Sequence, residues 1–222
     1  MNSVIIVAGG SGSRMNMNIN KQFIKINEKE VIAHTIDKFY KNEYIDEIIL
    51  VVKEDEIDYF NKNIINKYGY KNIKIALGGK ERQDSVYNGL KIVDKNCDMV
   101  LVHDGARPFV SKEIIKKAVT ETKKASVIGV RVKDTIKVVN NNEIISTPNR
   151  NTLWAIQTPQ TFKYDLLKIA YEKAYEENFY GTDDSSLVEN LGEKVNIIDG
   201  SYENIKITTK EDLNMAYQII KE

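Results

Sequence analysis

The stretch that decides the fold is VIIVAGGSGSRM at positions 4–15. Four β-branched residues in a row suit a strand buried on both faces, and the run breaks directly into Gly9, Gly10 and Gly12 with a cation, Arg14, close behind. Glycines at the end of a first parallel strand let backbone N–H groups approach a phosphate closely. Further along the chain, short apolar runs recur at 48–52, 73–77, 99–102 and 126–132. Between them lie stretches of helical period: Ile32, Ile36 and Phe39; Ile57, Phe60, Ile64 and Tyr68; Val86, Leu90 and Val93. Strands alternating with helices predict right-handed βαβ units and a mainly parallel sheet covered on both sides, an α/β three-layer sandwich.

The alternation is interrupted once. Residues 134–158, DTIKVVNNNEIISTPNRNTLWAIQT, read as two alternating stretches around Asn140, Asn141 and Asn142, a β-hairpin arm inserted in the sandwich. A hairpin of this size cannot fold alone and needs a surface to pack on, either its own domain or a second subunit. A helix at 164–177, an acidic segment at 182–189, a strand at 195–198 and a last helix opening at Thr209 with Asp212 in a capping box follow. No linker or repeat divides the 222 residues, so the expectation is one domain, 1–222.

Composition narrows the function. Lys+Arg and Asp+Glu are both 32, a balance unlike that of a dedicated nucleic-acid binder. One cysteine, Cys97, and two histidines, His34 and His103, leave no material for a disulfide framework or a Cys/His metal cluster. No apolar run approaches the ~20 residues of a membrane span, and the N-terminus lacks the basic region of a signal peptide, which points to the cytoplasm.

Two sites carry chemistry. The glycine loop fits neither a P-loop, since no Lys-Ser/Thr follows Gly12, nor the dinucleotide fingerprint, whose third glycine would fall on Met15. It remains a phosphate-facing loop with two cations, Arg14 and Lys21. The second site is VLVHDGARP at 100–108, where Asp104 ends a buried strand at the sheet edge that binds ligands in open α/β folds. A single carboxylate suits Mg²⁺, which takes one or two carboxylates and completes its shell with water and substrate phosphate. If the strand continues, His103 points the other way, into the core. Thr135, Arg150, Thr158 and Lys206, and a glycine turn at Gly78 and Gly79 leading into a helix, are polar features without an assigned role on pattern alone.

Taken together, AGGSGSRM (8–15) with KQF (21–23), GGKERQDSV (78–86), HDGARPF (103–109), KDTIK (133–137), TPNRNTLWAIQTPQTF (147–162), GTDDSSLVEN (181–190) and ENIKITTKEDL (203–213) resemble the 2-C-methyl-D-erythritol 4-phosphate cytidylyltransferase family, in order and over nearly the whole chain. The resemblance implies a nucleotide-diphospho-sugar transferase-like fold and transfer of a cytidylyl group from CTP to a polyol phosphate, with Mg²⁺ and release of pyrophosphate. It implies Arg14, Lys21, Arg150 and Lys206 as the catalytic cations. Ala8, Gly9, Gly10, Gly12, Gly79, Ser85 and Ala106 would bind the nucleotide, Arg107, Thr135 and Thr158 the acceptor, and Asp104 the metal. It also implies a homodimer clasped by the arm, with Thr135 and Arg107 offered across the interface. Two alternatives share features: ribitol-5-phosphate cytidylyltransferases, which tend to lack the Leu153-Trp154 pair and the 182–186 run, and a non-catalytic CTP-binding protein. Asn20 stands where the family usually has proline before Lys21, and Lys80 where it commonly has an acidic residue.

Overall fold

The computed structural model describes residues 1–9 and 21–220, with only the backbone of Lys21. Strand β1 (Asn2–Val7) is an interior strand of a seven-stranded sheet. On one side it pairs in parallel with β4 (Glu47–Val52), which pairs with β5 (Ile73–Leu77); on the other it pairs with β6 (Met99–Asp104). Next to β6 comes β10 (Trp154–Lys163), the one antiparallel strand, then β7 (Ala125–Arg131) and β11 (Asn196–Asp199). Period-two alternation sends Val4 and Ile6 to one face and Ile5 to the other, and likewise Leu101 against Val100 and Val102.

One face is covered by α1 (Val31–Phe39), by the helical run containing α2 (Ile57–Phe60), and by α4 (Lys112–Thr120). The other is covered by α3 (Arg82–Leu90), α5 (Tyr164–Glu176) and α6 (Asp184–Asn190). The expected face of Phe60 and Ile64 is buried, although Asn61–Asn66 winds as a π-helix. A short hairpin, β2 (Lys25–Ile26) and β3 (Lys29–Glu30), turns through Asn27 and Glu28, both at positive φ, and packs Ile26 with Val31 against α7 (Lys210–Ile219). No helix of the described residues is long and apolar enough to cross a membrane.

The arm is a two-stranded ribbon of β8 (Val138–Asn140) and β9 (Glu143–Ser146), closed by Asn141 and Asn142 at φ 47° and 64°. Both φ values are positive, the requirement of a two-residue type I′ turn. The stretch 134–158 does not belong to it throughout. From Trp154 onward the chain has entered β10 in the central sheet, and the projecting part ends with the turn of 3₁₀ helix at Arg150–Thr152. Polar Gln157-Thr158-Pro159-Gln160 concealed this strand: the β10–β7 register shifts there, at a cis Thr158–Pro159 peptide. Proline is accommodated where the ladder is already interrupted.

Candidate active site

The carboxyl end of β6 is fixed by one chain of hydrogen bonds. The Asp104 N–H donates to Thr158 Oγ1 (3.0 Å), the Thr158 hydroxyl pairs with His103 Nδ1 (3.1 Å), and His103 Nε2 meets the Arg107 carbonyl (3.1 Å). A carbonyl only accepts, so these partners assign the Nε2–H tautomer. His103 is buried edge-on against Phe39, and burial pushes its pKa down to about 4, leaving the ring neutral at pH 7. It is a core residue that orients Thr158 and the 104–107 turn, as the strand parity predicts.

Asp104 points the opposite way, into a cleft of about 350 Å³. Its Oδ2 meets Lys206 Nζ at 2.9 Å and Arg107 Nε at 3.4 Å, while Oδ1 faces Arg82 Nε at 3.5 Å. Burial would raise its pKa, but the charges of Arg82, Lys206 and Arg107 outweigh that and hold the carboxyl well below the usual range. Arg82 is tied from behind: its Nη1 lies 2.8 Å from Asp184 Oδ2, and the Tyr171 hydroxyl donates to Asp184 Oδ1 at 2.5 Å. Three cations, Arg82, Arg107 and Lys206, thus face two carboxylates, Asp104 and Asp183, in the lining, a surplus that suits an anionic ligand.

The QTPQ stretch of β10 builds the walls. Gln157 donates to the Ser201 carbonyl (2.8 Å) and accepts from Asn204 (3.2 Å), while Asn204 also donates to the Thr158 carbonyl (2.9 Å). The Asn204 carbonyl in turn accepts from Arg107 Nη1 at 2.7 Å, and Ile207 N–H reaches the Ala106 carbonyl at 2.9 Å. These bonds deliver Lys206 to Asp104. Gln160 pins the opposite wall, donating to Asp183 (2.7 Å) and accepting from Ser185 N–H (3.0 Å). Asp183 is the N-cap of α6, closing a capping box with Ser186.

Of the residues expected to bind the nucleotide, Ala8 is buried, with its N–H on the Val51 carbonyl and its carbonyl on the Gln22 side chain. Gly9 faces the Cα of Gly78. Gly79 must be glycine, because a Cβ there would sit 2.2 Å from that of Asp84. Its N–H donates to Ser85 Oγ (3.0 Å), which itself donates to the Glu81 carbonyl (3.0 Å), so Ser85 shapes the turn. Ala106 is buried below the cleft. Gly10, Gly12 and Arg14 lie outside the described residues, as does the Lys21 side chain, which leaves a single turn, Lys21–Phe23, at the loop's exit.

Thr135 and Arg150 do not line this cleft. Both are exposed on the arm, where Arg150 Nη1 donates to the Lys133 carbonyl at 2.8 Å. Arg107, expected across an interface, is held within this single chain by Asp104 and Asn204. Its nearness in sequence to Asp104 was the available signal, since an i, i+3 turn brings the two side chains together. Pattern reading gave no role to Arg82, Thr182 and the two glutamines, all of which line the cleft. Arg82 was visible only as the first residue of a helix after a glycine turn.

Among the described residues no group of three or more His, Cys, Asp or Glu is placed to hold a metal. Asp104 alone, with both oxygens beside cations, fits only a hard divalent ion that completes its shell with water and substrate phosphate.

A family profile described as 2-C-methyl-D-erythritol 4-phosphate cytidylyltransferase matches residues 2–222. A curated protein of that name from Clostridioides difficile is 64% identical, over 99% of this chain and 94% of its own. Among solved structures, 4-diphosphocytidyl-2C-methyl-D-erythritol synthase from Anaerococcus prevotii superposes with a TM-score of 0.87 at 38% identity, covering 100% of this chain and 96% of that one. The Francisella tularensis 2-C-methyl-D-erythritol 4-phosphate cytidylyltransferase gives 0.83 at 33%, covering 98% of each.

Proposed function

The chain belongs to the 2-C-methyl-D-erythritol 4-phosphate cytidylyltransferase family, and we propose that the Asp104 cleft is where it holds the acceptor's phosphate. It transfers a cytidylyl group from CTP to 2-C-methyl-D-erythritol 4-phosphate, giving 4-diphosphocytidyl-2-C-methyl-D-erythritol and pyrophosphate. The attacking group is a phosphate monoester with a second pKa near ~6, largely dianionic at neutral pH, so it needs no general base. The obstacle is repulsion between that dianion and a triphosphate, and catalysis is chiefly positioning and charge stabilisation. The observation that carries the reading is the convergence of Arg82, Arg107 and Lys206 on one carboxylate inside a cleft at the carboxyl end of β6.

Arg14 and Lys21 stabilise the charge that builds on the α-phosphate and the departing pyrophosphate, assisted by the N–H groups of the loop containing Gly9, Gly10 and Gly12. Ala8, Gly79, Ser85 and Ala106 form the nucleoside side. Lys206 and Arg107 take the acceptor phosphate, and Thr158 a hydroxyl. Mg²⁺, when bound, screens the triphosphate, and Asp104 is the carboxylate that would hold it.

The working unit is a two-fold dimer. Val138, Val139, Ile144 and Ile145 are exposed at 47–63% on a ribbon too small to be stable unsupported, and a second copy of the chain would cover them. Thr135 and Arg150, held at the root of the same arm, then serve the partner's cleft.

The test incubates purified protein with CTP, Mg²⁺ and one polyol phosphate at a time, following pyrophosphate. Turnover with the methylerythritol substrate that disappears on chelation is expected. Turnover unaffected by EDTA removes the metal from the reading, and preference for ribitol 5-phosphate removes the acceptor.

A further inference from the structure

Asp104 is surrounded unequally. Lys206 and Arg107 share Oδ2, and Arg82 alone faces Oδ1. Arg82 cannot leave easily, because its other edge is held by Asp184, itself buried and fixed by the Tyr171 hydroxyl. Lys206 is different: it is a single ammonium on a flexible stem, and its ion pair is with Asp104, whereas Arg82 is held by Asp184 as well. An arriving phosphate dianion competes with Asp104 for Lys206, and a buried carboxylate that loses its nearest cation beside a dianion is disfavoured unless another cation, Arg82 or a bound Mg²⁺, stays on it.

The geometry points to Arg82 as a positioning residue that keeps Asp104 neutralised while Lys206 transfers to the acceptor phosphate, with Asp184 setting how much of the Arg82 charge Asp104 receives. This rests on the assignment of Lys206 to the acceptor phosphate. Removing Arg82 leaves Asp104 to Lys206 and Arg107, the two cations assigned to the acceptor phosphate, and Lys206, the nearer, is therefore slow to let go. Removing the charge of Asp184 does the opposite: Arg82 is shared with one carboxylate fewer, Asp104 is better compensated, and Lys206 is released more readily. The two substitutions therefore have opposite signs on acceptor binding, whereas mere damage to the fold would move both the same way. Asn at 184 retains the size of Asp, an oxygen to accept from Arg82 and an amide to meet Tyr171.

The experiment measures KM for CTP and for the acceptor separately in wild type, Arg82→Gln, Asp184→Asn and Lys206→Gln. Arg82→Gln is expected to raise the acceptor KM by about tenfold, the size of one charge-assisted contact. Asp184→Asn is expected to lower it, and the CTP KM to change less than the acceptor KM in both. An acceptor KM in Asp184→Asn equal to or above wild type overturns the inference, as does an Arg82→Gln effect that is absent or no larger for acceptor than for CTP. The underlying assignment fails separately: Lys206→Gln with an unchanged acceptor KM would show that Lys206 does not hold that phosphate.

Discussion

Glu30, at the end of β3, has almost no exposure and is compensated by two groups from the chain after the π-helix. Lys67 Nζ lies 2.8 and 3.1 Å from its oxygens and the Tyr68 hydroxyl donates at 2.5 Å. Burial alone would raise its pKa, yet the bonds from Lys67 and Tyr68 win and lower it. A carboxylate whose folded pKa is lowered adds stability that is complete above its unfolded pKa and is lost as pH falls through the folded value. The gap in unfolding free energy between wild type and Glu30→Gln is therefore expected to shrink in urea titrations as pH drops from neutral to below about 4; a constant gap would contradict the ion-paired account. At the catalytic residues the expectation concerns rates. Arg14→Ala or Lys21→Ala should cut kcat by roughly 10²–10³ with much less effect on the acceptor KM, the signature of charge stabilisation confined to the transition state. Near wild-type kcat in both would remove them from the mechanism. Asp104 was legible in the sequence as a polar residue ending an apolar run, and His103 as its inward neighbour. The partners of Asp104 were not: Arg82 and Lys206 lie on other elements, and nothing in a local pattern says which distant lysine a turn will deliver.

Among the elements, the buried strands and amphipathic helices followed directly from period two and period 3.6. The capping box at Thr209 is present where the sequence suggested a helix start, and a second one closes at Asp183 within the acidic segment. Helix α4 carries an equally clear signal, an N-cap Ser111 before Ile114, Ile115 and Ala118. The misread element was β10, whose first residues, 154–158, were read as the second stretch of the inserted arm, while the glutamines and proline hid its continuation into the sheet. Their role is tertiary: each glutamine satisfies backbone or side-chain groups of a distant segment, and only the assembled sheet reveals it. Gln160 accordingly governs the 183–186 wall. Gln160→Ala leaves the Ser185 N–H without its acceptor and takes one donor from Asp183, and a loss of about 1–3 kcal/mol in unfolding free energy is expected from denaturant curves. Hydrogen exchange should rise first at the start of α6; an unchanged stability would mean that water replaces the glutamine.

At the scale of the whole molecule, the sandwich supplies the sheet edge that bears the cleft, and the proposed dimer would bring the arm of a second copy to it. The root of the arm is stapled to the sheet by contacts that leave its tip alone: Arg131 stacks on Trp154 at 4.6 Å, Lys133 lies 3.6 Å over the Tyr202 ring, and the Tyr202 hydroxyl donates to the Arg131 carbonyl at 2.7 Å. Thr135 and Arg150 are thereby carried outward, away from their own Asp104. The proposed clamp built from two chains is tested by complementation. Arg150→Ala and Lys206→Gln, each of low activity alone, are unfolded together and refolded as a mixture. Half the dimers are mixed, and one of the two sites in each mixed dimer pairs an intact cleft with an intact arm, so about one quarter of wild-type turnover should return. A mixture no more active than its components would contradict the shared clamp.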